Sequence, residues 1–547
     1  MSENLNTIFS RIDLAIKNAD FMGALKDVFL LKPIVEKYFE EVKNIELIKE
    51  GDKKTDYFLK TIFNYGGFLI DCGSMIKDEK LLDEGIFYTK NLFNRVTNEN
   101  KLYANFAYNL ANGLEGKIKI KQHTSNHHYW VGDKNTEESK NLYRTILDQI
   151  SSNNNLILPI LTNYANLLNG RLGRVLESLN YYNKALSIDS NFSMALANKG
   201  YVQSLFATVL SGEASGIFLH EAYFNIEKAL KIGLEEGPRR YFKNVQEQIK
   251  EIFPEVGDLG EDISCENVLN DKVGSFETFY KNFCNTNNLF LNPISNNHKC
   301  EAALYDPLTI KRMIVNKGEE DNRFYKITNY FNQIKQEFVL ARYLAAQSFY
   351  QDKSLKFIDE GVVLLDTLDY SVFNIYLEQA RTSFRISYSI LDKIAYIFND
   401  YLNLGLNEKS IYFYKLSPLY SDNVFNKLYP IQNPYKSAIL DLANDFRNGY
   451  FQKLADLRNS FEHRFKSLHI YAIPRRVTES DTKNDAAEML TPREFRDLLV
   501  ELLTIVKSAI FYLVLMIDWE ERLNEKKYEG KLFPMFIREI PDNLKIE

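Results

Sequence analysis

The sequence predicts an all-α protein: an α-solenoid of helical repeats followed by a helical bundle. Three observations carry the prediction. Glycine (24) and proline (13) are scarce for 547 residues, and few breakers in a long chain mean helices with short connections. Apolar residues recur at three- and four-residue steps along much of the chain, the period of a helix with one buried face. In the first half, small–large–small triplets recur at steps of four and three. Hydrophobic residues at 45% and charged residues at 26% belong to a folded globular chain. They exclude bulk disorder, collagen and an uninterrupted coiled coil.

Residues 1–253 read as the repeat region. Tyr164-Ala165-Asn166-Leu167-Leu168-Asn169 is followed by Ser178, Tyr182 and Ala185, then by Leu196 and Gly200. After an insertion come Ala222, Ile226 and Ala229. The small residues let two helices approach, and the large residue fills the gap between repeats. This pattern resembles the tetratricopeptide repeat, with departures at Thr162 and Ser190, where that family carries a bulky residue and a proline. Residues 57–93 and 103–113 resemble degenerate copies. Fewer than three repeats are unstable alone, which extends the solenoid toward the N-terminus. The concave face of a solenoid is the expected site of a protein or peptide ligand; the bland alternative is a rigid spacer. His123, His127 and His128 fall in a polar stretch without ligand spacing, so no metal is expected there.

Residues 254–319 read as a linker and irregular connecting segment. Pro254, Gly257 and Gly260 alternate with acids. Cys265, Cys284, His298 and Cys300 lack the paired spacing of a zinc site. Leu289-Phe290-Leu291-Asn292-Pro293 suggests a short strand or an extended loop.

Residues 320–547 read as a bundle of four long helices. The first runs over 323–350 and the second over 371–404. The third begins after Pro434 and carries Ile439, Leu442, Phe446, Tyr450, Leu454, Leu457, Phe461 and Phe465 on one face, with Gly449 marking a bend. The fourth starts at Thr491-Pro492-Arg493-Glu494, a capping box with proline at the first helical position, and runs to about 524.

Near the end of the third helix the chain reads Arg458-Asn459-Ser460-Phe461-Glu462-His463. Spacing alone has little weight, since chance supplies about one such Arg–His pair in a chain of this composition. Arg464 and His469 form a second pair next door. The first pair is distinguished by Asn459 and by its place late in a bundle helix. With those features it resembles the motif of the HEPN superfamily, helical-bundle domains many of which are metal-independent ribonucleases. The resemblance spans roughly residues 320–525. It looks most like the subfamily that follows helical repeats in bacterial proteins, and it implies an endoribonuclease of the toxin or antiviral-defence kind.

On a helix Asn459 and His463 lie about 40° apart, while Arg458 and His463 lie about 140° apart. Packing two such helix ends across a twofold axis brings the arginines and histidines to one groove, so a homodimer is expected. The resemblance implies attack by a ribose 2′-OH on the adjacent phosphate. His463 would be the acid or base, Arg458 the phosphate ligand, and Asn459 would orient the histidine or bind the backbone. No cofactor is expected.

Between Tyr435 and Arg476 eight Lys or Arg face four acids, a local excess of positive charge suited to an anionic substrate. It includes Arg464, Lys466, Arg475 and Arg476; the last two sit in a stretch, 471–490, that reads as a substrate flap or an insertion. On the second helix Glu378, Arg381, Arg385 and Asp392 form a polar stripe. They either support the site or make ordinary surface pairs.

The whole chain carries −6, which excludes a globally basic nucleic-acid coat protein. Four cysteines and no basic-apolar leader lead to the expectation of a reducing cytoplasm. The ten-residue run Ser508–Ile517 is expected to be a buried bundle helix, too short to span a bilayer. The runner-up reading is a scaffold without catalysis, in which the repeats bind a partner and the bundle dimerises. A peptide-sensing transcriptional regulator is weaker, because no helix-turn-helix with a basic recognition helix is found.

Overall fold

The computed structural model describes residues 4–49, 52–124, 131–150, 154–210, 212–260, 275–296, 301–316, 322–366, 370–421, 433–463, 467–470, 490–527, 532–536, 539–542 and 545. The described residues are overwhelmingly helical, with 18 α-helices and four short strands. The chain divides into two compact units, Met1–Asp262 with Pro430–Ser437, and Ile263–Tyr429 with Ala438–Glu547.

The first unit is an α-solenoid of eleven helices: α1 (Leu5–Lys17), α2 (Phe21–Val42), α3 (Lys53–Ile76), α4 (Glu79–Phe93), α5 (Tyr103–Thr124), α6 (Lys134–Gln149), α7 (Ile157–Leu172), α8 (Val175–Ile188), α9 (Ser193–Ala207), α10 (Glu213–Ile232) and α11 (Glu236–Ile252). Each packs on the next, and α3 also meets α5, as α7 meets α9. Asp52, Asp78 and Asp133 cap α3, α4 and α6 by accepting first-turn N–H bonds.

The triplets do what their sizes imply. Tyr182, Ala185, Ala222, Ile226 and Ala229 are fully buried. A Cβ on Gly200 would come within 2.8 Å of the Ala222 carbonyl oxygen and 2.7 Å of Ile226. Gly85 stands likewise, 2.8 Å from the Gly66 carbonyl. Helix pairs this close admit no side chain at the crossing. His123 lies in the last turn of α5 without a described side chain, and His127 and His128 lie outside the described residues.

The second unit is the helical bundle. Its elements are α12 (Phe276–Thr286), β1 (Arg312–Asn316), α13 (Asn322–Tyr350), β2 (Ser371–Val372), α14 (Ile375–Tyr401), α15 (Pro418–Ser421), α16 (Pro434–Arg447), α17 (Gln452–His463), β3 (Leu468–His469), α18 (Pro492–Lys527) and β4 (Leu532–Phe536). Helix α16 starts in the stretch grouped with the first unit. Helices α13, α14 and α18 pack against one another, and α17 lies on α14. β1 pairs antiparallel with β4, and β2 with β3.

Two expectations are corrected here. The third bundle helix is two helices. Gly449 adopts φ +92°, a conformation that glycine reaches without strain, and the chain turns between Arg447 and Gln452. The expected connector, 254–319, is not a linker over its second half. Leu289 and Leu291 are fully buried and Phe290 nearly so; Arg342 on α13 donates to the Leu289 carbonyl at 3.0 Å, and side chains tie the stretch to itself. Asn292 Nδ2 donates to the Ala302 carbonyl at 2.8 Å, and Asp306 accepts from the Leu291 N–H at 2.6 Å. Of the sulfur and histidine residues noted there, Cys284 is buried, and the other three lie outside the described residues.

The apolar run Ser508–Ile517 lies inside α18, the fourth bundle helix, which spans the expected length. Among the described residues, Pro492–Glu525 is long and apolar enough to cross a membrane, with a window of mean hydropathy 2.2. That window is 78% buried within the protein, as expected of the bundle's central helix. The capping box is present: the Thr491 N–H donates to Glu494 Oε2 at 2.8 Å, and the Glu494 N–H donates to Thr491 Oγ1 at 3.2 Å.

Candidate functional site

Helix α17 is short, and its inward face is set by Leu454, Leu457 and Phe461. The two leucines are buried. The Phe461 ring closes an aromatic cluster, 5.8 Å from Phe384 on α14 and 5.1 Å from Phe495 on α18. Phe384 and Phe495 are themselves 5.8 Å apart. This cluster fixes the axial position of α17, and hence of every polar residue on it.

Arg458 follows Leu457 in sequence and sits at the margin of the buried face, half-buried. Its Nη1 donates to Asn459 Oδ1 at 3.1 Å. Its guanidinium lies 5.6 Å from the Tyr388 ring centroid on α14, within cation–π range. One turn further along α14, Asp392 accepts the Phe413 N–H at 2.9 Å. Burial raises the Asp392 carboxyl above its usual range, while the Phe413 N–H and the Arg458 charge pull it back. Burial also pushes the Tyr388 phenol up to about 12; the Asp392 charge adds to that and Arg458 opposes it. Arg458 therefore stands over a recessed ring, within electrostatic reach of the half-buried Asp392 carboxyl.

Asn459 is exposed beside it. His463 is the last residue of α17; its side chain, together with Arg464, Lys466, Arg475 and Arg476, lies outside the described part of the molecule. The described geometry thus unites Arg458 with Asn459, and the helix backbone sets His463 one turn beyond Asn459 on nearly the same side.

The stripe on α14 faces this helix. Arg381 pairs with Glu378 on its own helix, and its guanidinium lies 5.7 Å from the Phe461 ring. Arg381 thus makes a local ion pair and also packs on the candidate helix. Arg385, one turn on, donates through Nη2 to Thr382 Oγ1 at 3.2 Å. Glu378 is half exposed, with 52% of its side chain open.

Sequence reasoning missed Tyr388 as a member of the site, because it fits the apolar period of α14. Asp392 was seen on the stripe but not as a neighbour of Arg458. The available signal was the four-residue step from Tyr388 to Asp392 beside a helix carrying an arginine. Among the described residues no cluster of three metal-ligating side chains forms.

Residues 318–520 match the family model described as LA2681-like HEPN. The match runs from just before α13 to near the end of α18, and it contains both α17 and the α14 stripe. It supports a HEPN-superfamily domain in the second unit. No curated protein matches the chain.

Proposed function

We propose that the second unit is a metal-independent endoribonuclease acting as a toxin or antiviral effector, and that the repeats regulate it. The observation that carries the reading is the half-buried Arg458 guanidinium, held by Asn459 one turn before His463, inside the span that matches a HEPN model.

In this reading a ribose 2′-oxygen attacks the adjacent phosphorus as His463 takes the hydroxyl proton. The P–O5′ bond breaks, the 5′-oxygen receives a proton, and a cyclic phosphate remains. The nucleophile belongs to the substrate and is already beside the phosphate, so a metal hydroxide is not needed to generate it. Arg458 neutralises the developing negative charge on the phosphoryl oxygens. Asn459 orients the guanidinium. The leaving oxygen needs a second acid, which a twofold-related His463 supplies in a homodimer. Arg464, Lys466, Arg475 and Arg476 extend positive charge along the RNA. The concave face of the solenoid takes the protein or peptide that sets the activity, and the protein works in the cytoplasm. The toxin or defence role rests on the family alone.

One observation favours the runner-up. Arg458 already has an aromatic ring and a carboxyl near it, as a structural arginine would, which suits a scaffold that only dimerises. Induced expression in cells decides between them. Wild type, Arg458→Ala and His463→Ala are compared at equal protein level for growth and total RNA integrity, with and without phage. Growth arrest and RNA fragmentation confined to wild type are expected. Identical behaviour of all three would leave the scaffold.

A further inference from the structure

The connection between α13 and α14 turns a stretch of apolar side chains to solvent. Val362 is exposed at 57%, Val363 at 90%, Leu364 at 58% and Leu365 at 87%. The exposure alternates residue by residue, as on a strand with one face leaning on the protein and the other clear of it. Among the described residues, the N–H and C=O groups of Val363, Leu364 and Leu365 make no hydrogen bond. This strap has two marks of an unmated edge: apolar side chains in water and an unpaired backbone.

The base of the strap is fixed. Asp359 accepts the Ile375 N–H at 3.1 Å at the start of α14, and the Val362 N–H donates to the Asp359 carbonyl at 3.3 Å. Gln351 and Asn374, at the two ends of the same connection, line an open cleft of about 500 Å³ beside the first turns of α14 and α18. Its wall is apolar, built by Val372, Leu377, Ile470 and Pro492. Arg493 stands exposed on its rim. A cavity of about 150 Å³ holds one benzene, so the cleft has room for two aliphatic side chains of the strap together.

Charge decides what covers the strap. Exposed acids bound it, Glu360 before and Asp366 after. Two straps paired antiparallel would set Glu360 of one against Asp366 of the other, and like charges placed opposite destabilise a strand pair. An apolar surface with a positive rim suits the strap, and the cleft beside Arg493 is such a surface on the same unit. Strap on cleft, made twice across a twofold axis, is a closed isologous contact. It buries on the order of 1,500 Å², the size of a standard specific interface.

We propose that two copies of the chain associate by exchanging straps. Each seats Val363 and Leu365 in the other's cleft and sets Glu360 against Arg493. Asn374, whose Oδ1 caps α14, donates its amide to a strap carbonyl. The interface forms at the bundle end where α17 finishes, since Phe461, two residues before His463, packs on Phe495 in the first turn of α18. The proposal gives the homodimer of the ribonuclease reading its interface, and rests on that reading for its twofold symmetry.

The test is sedimentation velocity of the full chain over a range of concentrations. Wild type, Val363→Asp, Arg493→Glu and the double variant Glu360→Lys with Arg493→Glu are compared, with thermal unfolding checked for each. All three side chains are exposed, so unchanged midpoints are expected. Wild type should be a dimer. Val363→Asp should weaken it by about 30-fold or more and Arg493→Glu by about 10-fold, and the double variant should regain most of the second loss. A monomeric wild type, a Val363→Asp dimer as tight as wild type, or a double variant no tighter than Arg493→Glu overturns the exchange. RNA fragmentation in cells is scored separately. A strap-dependent dimer that leaves RNA intact fails the ribonuclease reading alone; RNA fragmentation with the Val363→Asp dimer unimpaired fails the strap alone.

Discussion

Two arginines of the bundle unit sit in opposite circumstances. Arg342 on α13 is 3% exposed. Its Nη1 and Nη2 donate to Asp306 at 2.7 and 2.5 Å, Nη1 also reaches the Leu289 carbonyl at 3.0 Å, and Nε reaches the Tyr280 hydroxyl at 2.7 Å. Arg458 on α17 is half-buried and bonds to the side chain next to it. The first guanidinium spends four of its five N–H donors on the fold. The second has a position fixed by packing, and among the described residues its one hydrogen bond goes to Asn459. Burial with most donors spent marks a residue that holds the structure; partial burial with spare donors marks one available for chemistry.

The strongest way to break this contrast is Arg342→Met. It leaves the largely covered Asp306 without its ion partner, a loss of about 3 kcal/mol, read as a lowered urea midpoint. A midpoint near wild type would mean that donors spent on the fold are no guide to structural weight. Arg458→Gln should do the reverse. RNA cleavage should fall by about 100-fold or more, the scale of losing one charge-stabilising donor, while the urea midpoint holds within about 0.5 kcal/mol. Loss of stability equal to that of Arg342→Met would erase the distinction.

The contrast sharpens with pH. Lys507 on α18 belongs to the same buried centre as Arg342. Its Nζ donates to the Asn288 carbonyl at 2.8 Å and to Asn288 Oδ1 at 2.6 Å. Burial pushes its pKa down to about 7; Asp306 opposes the shift and Arg342 adds to it. The unfolded lysine therefore binds more protons than the folded one from about pH 7 to its ordinary value near 10.5. Stability should rise with pH through that window, by at most about 1.4 kcal/mol per unit from this group. Urea midpoints from pH 6.5 to 9.5 should climb in wild type, and Lys507→Met should flatten the climb. A flat wild-type profile would place the charge in a wetter setting. The smallest effect belongs to Thr491→Ala, which removes half of the capping box at the start of α18 and should cost about 1 kcal/mol. A loss of cleavage without that cost would give Thr491 a role at the cleft instead.

The bundle helices were legible because α13, α14 and α18 each bury a continuous face, and the 3.6-residue period survives any tertiary detail. Gly449 was legible as a bend. That it ends a helix was not, because glycine can sit inside helices and only its positive φ decides. The ordered stretches at 289–296 and 301–308 had no periodic signal. Their order comes from Asn292, Asp306 and Arg342 binding backbone groups 2 to 53 residues away, which no local pattern encodes. At the site, Arg458 and Asn459 were legible from their motif. Tyr388 was hidden by its own apolar period, since a ring beneath a guanidinium and a ring in a core look alike in sequence.

The pairing of β1 with β4 joins residue 312 to residue 536. Behind it, the wholly buried Glu521 accepts the Ile314 N–H and the Tyr401 hydroxyl, both at 2.7 Å. The solenoid is assembled from neighbours in sequence and can form as the chain leaves the ribosome. The bundle must wait for its last strand. A nascent chain thus carries its repeats folded before its second unit is closed, so a cell making this protein meets the repeat half first.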